Sequence, residues 1–110
     1  MTVYKRNIMQ IDKLPDKSEG ELFEEILRSK NLIIERIISC GWNNADGEWY
    51  DQENDEWVML IKGNAVIEFE DNRMDLSEGD YLMIPAHCRH KVIKTSPEPP
   101  CIWLAMQISK

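Results

Sequence analysis

From Asn31 onward the apolar residues recur mostly at every second position, in short runs broken by turn residues. Period-two alternation over four to eight residues is the pattern of a strand with one face buried. It predicts strands over Leu32–Ser39, Glu48–Gln52, Glu56–Ile61, Ala65–Glu70, Met74–Leu76, Tyr81–Ile84, His90–Lys94 and Ile102–Ile108. The breaks carry turn chemistry: Gly41 to Gly47, Glu53-Asn54-Asp55, Lys62-Gly63-Asn64, Asp71-Asn72-Arg73, Glu78-Gly79-Asp80 and the proline-rich Ser96 to Pro100. Many short strands at regular spacing predict an all-β sandwich or barrel, and a two-sheet jelly roll fits best.

The first thirty residues read differently. Val3 to Ile11 is an extended arm and Leu14-Pro15-Asp16-Lys17 a turn. Ser18 and Glu21 have capping-box spacing, and Leu22, Phe23, Ile26 and Leu27 form one apolar stripe at helical spacing. Glu19 and Glu21 at the start and Arg28 and Lys30 at the end suit a helix dipole. This predicts one short helix over Ser18–Ser29, covering an edge of the barrel. The chain is then a single domain, with arm and helix over 1–30 and barrel over 31–108.

Two segments carry the candidate chemistry. Glu56 is followed by the apolar run Trp57-Val58-Met59-Leu60-Ile61 and then Lys62-Gly63, an E-x6-G pattern. Gly79 begins G-x5-P-x-H-x2-H, with Pro85, His87 and His90 at its fixed places. Together these resemble the two-part signature of the cupin barrel over roughly residues 31 to 108. The resemblance implies that the two segments line one pocket and supply ligands to a divalent metal such as iron, nickel, manganese or zinc.

In that family a H-x-H pair precedes the glutamate by three or four residues. Here the three-residue spacing selects Tyr50 and Gln52, and the four-residue spacing Trp49 and Asp51. Alternation turns Tyr50 and Gln52 inward, with Glu56, Val58 and Leu60 inward on the next strand. His87 stands where the family has a glycine, and Lys94 where it has an asparagine. The implied metal ligands are His90, Glu56 and, through its amide oxygen, Gln52. His87, Asp51 and Asp55 are reserves. Tyr50 and His87 are the acid/base candidates. A second reading stands beside this one: His90 hydrogen-bonds Glu56, directly or through water, in a metal-free polar cluster, since a buried carboxylate needs a partner.

Charge narrows the classes. The 110 residues carry a formal net charge of -7, which opposes binding to nucleic acid or an anionic membrane. No apolar run approaches the roughly 20 residues of a membrane span, and the N-terminus lacks the apolar core of a secretory signal. Cys40, Cys88 and Cys101 are odd in number and have no C-x-x-C spacing, as unpaired thiols of a cytoplasmic protein would be. Glycine-rich phosphate loops and nucleophile elbows are absent. The sequence thus points to a small cytoplasmic barrel that holds or transforms a small polar metabolite with a divalent metal, or binds its ligand without one. Strands apolar on both faces (Leu32-Ile33-Ile34 with Ile37-Ile38, Trp57–Ile61, Ile102–Met106) predict a homodimer.

Overall fold

A computed structural model describes residues 1–16 and 20–110. The described residues form eight strands: β1 Glu21–Arg28, β2 Leu32–Ser39, β3 Asp55–Lys62, β4 Ala65–Phe69, β5 Arg73–Leu76, β6 Tyr81–Ile84, β7 His90–Thr95 and β8 Cys101–Ile108. They make two antiparallel sheets, one of five strands in the order β1-β2-β8-β3-β6 and one of three in the order β5-β4-β7. The all-β jelly-roll expectation is met.

The helix is not. Residues 21–28 of the stretch assigned to it are β1, an edge strand paired with β2, and Ser18 and Glu19 lie outside the described residues. A bulge explains the misleading pattern. Leu22 lies opposite Ile38 and Leu27 opposite Ile34, but the register shifts between Glu25 and Leu27. One extra residue flips the parity of a strand. Leu22 and Leu27 therefore share a face despite an odd separation, and the apolar positions acquire a helix-like spacing. The segment predicted over Glu48–Gln52 is reduced to a single bridge between Tyr50 and His90.

Pairing across the large sheet sorts its side chains into two faces. On the inner face Ile37, Trp103 and Leu60 lie in one row, Glu35, Ala105 and Val58 in the next, and Ile33, Gln107 and Glu56 in the last. The first two rows supply much of the core, which Ala65, Ile67, Leu76 and Ile84 complete. Burying such side chains is worth roughly 1.5–3 kcal/mol each. The last row ends the core with polar groups. This end holds the start of β3, the start of β7, the end of β4 and the end of β8, and it forms the mouth of the barrel.

Candidate functional site at the barrel mouth

Asn44 brings the strand-like segment before β3 to the mouth. Its backbone N–H donates to the Val92 carbonyl at 2.8 Å and its Oδ1 accepts the Val92 N–H at 2.8 Å. The side-chain amide thus imitates a strand partner and ties the 43–50 loop along β7. Six residues later Tyr50 pairs with His90 through two backbone bonds, of 2.8 and 3.2 Å.

His90 is 4% exposed and faces inward beside Phe69, its partner on β4. The ring sits edge-on to Tyr50, centroids 5.5 Å apart, and 6.0 Å from the Phe69 ring. Its Nδ1 lies 3.0 Å from the Cys88 carbonyl. A carbonyl only accepts, so Nδ1 carries the proton and Nε2 keeps a lone pair. Burial lowers the pKa of the ring, against a smaller opposing effect of the Cys88 carbonyl. His90 is therefore a neutral acceptor at physiological pH.

Glu56 is 8% exposed and enters from the opposite sheet. Gln107, beside it on β8, donates from Nε2 to Oε2 at 2.8 Å. Burial raises the Glu56 pKa to about 7, with further contributions from the charges of Glu35 and Glu21. Glu21 lies on the inner side of β1, where its Oε2 accepts from Ser39 Oγ at 3.1 Å, and Ser39 in turn accepts from Trp103 Nε1 at 3.2 Å. Burial raises Glu21 to about 7 as well, against the Ser39 bond. The Tyr50 hydroxyl is pushed up to about 12, first by burial and then by the charges of Glu21 and Glu56. The interior is thus acidic, and among the described residues no lysine or arginine is buried in it.

Tyr50 is joined to His90, and Glu56 lies near the start of β3 on the opposite sheet, at the same end of the barrel. The protein partners of His90 and Glu56 are the Cys88 carbonyl and the Gln107 side chain. Gln52 is half-buried and takes part through its backbone carbonyl, which accepts from the His87 N–H at 2.8 Å. His87 is exposed at the rim, with Nδ1 2.7 Å from Asp51 Oδ1. Its φ of 62 lies in the left-handed region, which a residue with a Cβ rarely adopts. Asp55 is spent on structure, accepting from the Ala86 N–H at 2.8 Å.

Three contributors escaped the sequence reading. Glu35 shares its parity with Ile33 and Ile37, and Gln107 shares its parity with Trp103 and Ala105, so both were legible as inward positions. Glu21 was hidden by the helical reading of β1.

Measured against the needs of a metal, this set falls short. A resident transition-metal ion takes about four ligands, three or more of them from protein. Glu56 and His90 offer two, and among the described residues no three His, Cys, Asp or Glu side chains are grouped to hold an ion. Two surface clefts, of ≈ 450 Å³ beside Met74–Leu76 and ≈ 650 Å³ beneath the N-terminal arm, lie away from the mouth.

Comparison with known proteins agrees with this architecture. The family described as "Cupin domain" matches residues 43–107. A protein of Ralstonia eutropha JMP134, named "putative mannose-6-phosphate isomerase", is 39% identical over 98% of this chain and 100% of its own, with a TM-score of 0.86. A cupin superfamily protein of Desulfitobacterium hafniense DCB-2 is 18% identical over 97% of this chain and 100% of its own, with a TM-score of 0.72. KdgF from Halomonas sp. is 17% identical over 89% of each chain, with a TM-score of 0.70. Curated protein sequences yield no match. The span of the family match, the identity to the Ralstonia protein and the two-sheet barrel agree: the chain belongs to the cupin family.

Proposed function

We propose that the chain is a small-molecule-binding cupin that holds a polar, uncharged or cationic metabolite at the barrel mouth without a resident metal. One observation carries this reading. Glu56 and His90, both more than nine-tenths buried, enter the same mouth from opposite sheets. Each has one polar atom committed to the protein, and each leaves another for a ligand. Tyr50 packs edge-on against His90, and its hydroxyl is held protonated, ready to donate. Gln52 and His87 border the same opening. Polar groups converging on an apolar floor are the usual form of a small-molecule site.

The ligand class follows from charge. An anionic group has no buried cation to meet and would face Glu21, Glu35 and Glu56, so the buried part of the ligand is neutral or positive. Hydroxyl groups suit the mixture of donor and acceptors. The name of the Ralstonia relative points toward a sugar, whose phosphate would then remain outside the mouth.

A second reading makes the site catalytic, and the ionisation of Glu56 favours it. A carboxyl poised at about 7 can take and return a proton at neutral pH. That is what exchange of a proton between the two carbons of an aldose–ketose pair demands. His87, held by Asp51 at the rim, is the second proton carrier in this reading. The three unpaired thiols suit a reducing cytoplasm.

Calorimetric titration of chelator-treated protein with mannose, fructose and mannose 6-phosphate tests the proposal. Binding of a sugar should weaken at least tenfold in Glu56→Gln and His90→Ala. Binding that appears only after a divalent metal is added, or that ignores both substitutions, overturns it.

A further inference from the structure

Hydrogen-bond donors and acceptors inside the barrel do not balance. Glu56, 8% exposed, uses Oε2 on Gln107 and keeps Oε1. His90, 4% exposed, uses Nδ1 on the Cys88 carbonyl and keeps Nε2, an acceptor. Among the described residues no fully buried polar atom lacks a partner, so these two atoms open onto accessible space. Pairing puts Glu35 on the inner face of β2, across Ala105 from Val58 and one row in from Glu56. Its side chain is half-buried, and among the described residues no hydrogen bond or ion pair reaches its carboxylate. Glu35 and Glu21 both lie near enough for their charges to act on Glu56.

The donors that could answer these acceptors are already committed. Gln107 Nε2 is on Glu56, Ser39 Oγ on Glu21 and Trp103 Nε1 on Ser39. Among the described residues no lysine or arginine is buried. The Tyr50 hydroxyl and the Gln52 amide remain near the mouth, and neither carries charge. An ammonium group has three N–H donors, no acceptor and a full positive charge. It can donate to Glu56 Oε1 and His90 Nε2 while Glu35 and Glu21 favour its charge. Such charge-assisted bonds are about twice as strong as neutral ones. The Tyr50 ring, edge-on to His90, adds a face that attracts a cation. A hydroxyl in that place has one proton to give and leaves the second acceptor unmet, which is costly when buried. Two protein ligands fall short of a resident metal's needs, whereas an ammonium has no fixed coordination number to fill.

We infer that the mouth selects a ligand bearing a primary amine beside hydroxyl groups, its ammonium held by Glu56 and His90 and its charge balanced by Glu35. The inference rests on the reading of the mouth as a small-molecule site and adds the charge of what enters it.

Calorimetric titration of the chelator-treated full chain at pH 8 tests it with sorbitol and 1-amino-1-deoxysorbitol. The two probes differ by an ammonium in place of one hydroxyl, and an alkylamine is still charged at this pH. The amine should bind at least tenfold more tightly. Glu35→Gln should cut that preference at least threefold and Glu56→Gln should abolish it, both variants keeping a cooperative melt. Asp75→Asn, an exposed carboxylate on β5, should leave the preference unchanged, which separates a built site from the general pull of an acidic protein. Equal affinity for the two probes overturns the inference, and so does a preference that survives Glu35→Gln and Glu56→Gln or is lost equally in Asp75→Asn. If mannose binds the same preparation while the amine has no advantage, the small-molecule reading stands and this inference alone falls. If neither probe nor mannose binds, both fall.

Discussion

Tyr50 and His90 hold each other three ways: by a backbone bond in each direction, of 2.8 and 3.2 Å, and by an edge-on ring contact with centroids 5.5 Å apart. The backbone pair aligns the segment before β3 with the start of β7. The ring contact fixes the imidazole, so a tyrosine at this place positions the histidine as well as facing the cavity. Tyr50→Phe should keep the ring contact and change stability by less than about 1 kcal/mol, while weakening ligand binding through the lost hydroxyl. Tyr50→Ala should lose both and cost about 2 kcal/mol or more. Urea unfolding alongside ligand titration separates the two effects.

The interior carboxyls set a pH dependence. Glu21 and Glu56 ionise near 4.5 when unfolded and near 7 when folded. Between those values the folded chain binds more protons, so their contribution to stability falls as pH rises from about 4.5 to about 7 and is level above that. A shift of this size corresponds to about 3 kcal/mol for one group, and the two are not additive because the charge of Glu21 is one of the causes that raise Glu56. Glu56→Gln should therefore stabilise the protein relative to wild type at pH 8 by about 2–3 kcal/mol more than it does at pH 4. Equal effects at both pH values would show that Glu56 ionises as an ordinary carboxyl.

Much of this molecule is written locally. The turns at Lys62-Gly63-Asn64 and Glu78-Gly79-Asp80 and the short apolar runs of β3 and β8 between turn residues announce the barrel, and Glu56 and His90 are inward by parity alone. What was not legible depends on pairing. β1 is an exposed edge strand whose bulge at Glu25–Leu27 disguises its period, and Glu21 joins the interior only because β1 joins the sheet. The partners of Glu56 and His90 were equally hidden, since Gln107 reaches Glu56 across a register that no single strand encodes.

Two glycines with nearly the same positive φ should respond differently to a methyl group. Gly63 has φ +92 and Gly79 φ +93, so alanine is strained at both, by about 1 kcal/mol. At Gly63 a Cβ would lie 2.7 Å from Ser96 Oγ and 3.0 Å from Cys101 Sγ, whereas at Gly79 nothing lies within 4 Å. Gly79→Ala should cost about 1 kcal/mol and Gly63→Ala at least about 1 kcal/mol more. Thermal unfolding of the pair checks the difference.

His87 occupies a backbone conformation that glycine adopts at no steric cost. His87→Gly should relieve about 1 kcal/mol of strain and give up an exposed pair with Asp51 worth less than that. The variant should be as stable as wild type or slightly more so, and His87→Val, β-branched, should be less stable. If His87 carries protons, His87→Gly should lower turnover of a sugar substrate while leaving its binding intact. A loss of binding equal to the loss of turnover would assign His87 to ligand contact instead.

The central claim is that the ligand enters the mouth between Glu56, Tyr50 and His90 and needs no metal. Amide chemical-shift mapping of the isotopically labelled protein, titrated with mannose in excess chelator, tests it most directly. The account predicts saturable shifts centred on Tyr50, Glu56, His90 and Gln107, absent in Glu56→Gln. Shifts confined to the surface clefts, or shifts at the mouth only once a divalent metal is supplied, would contradict it.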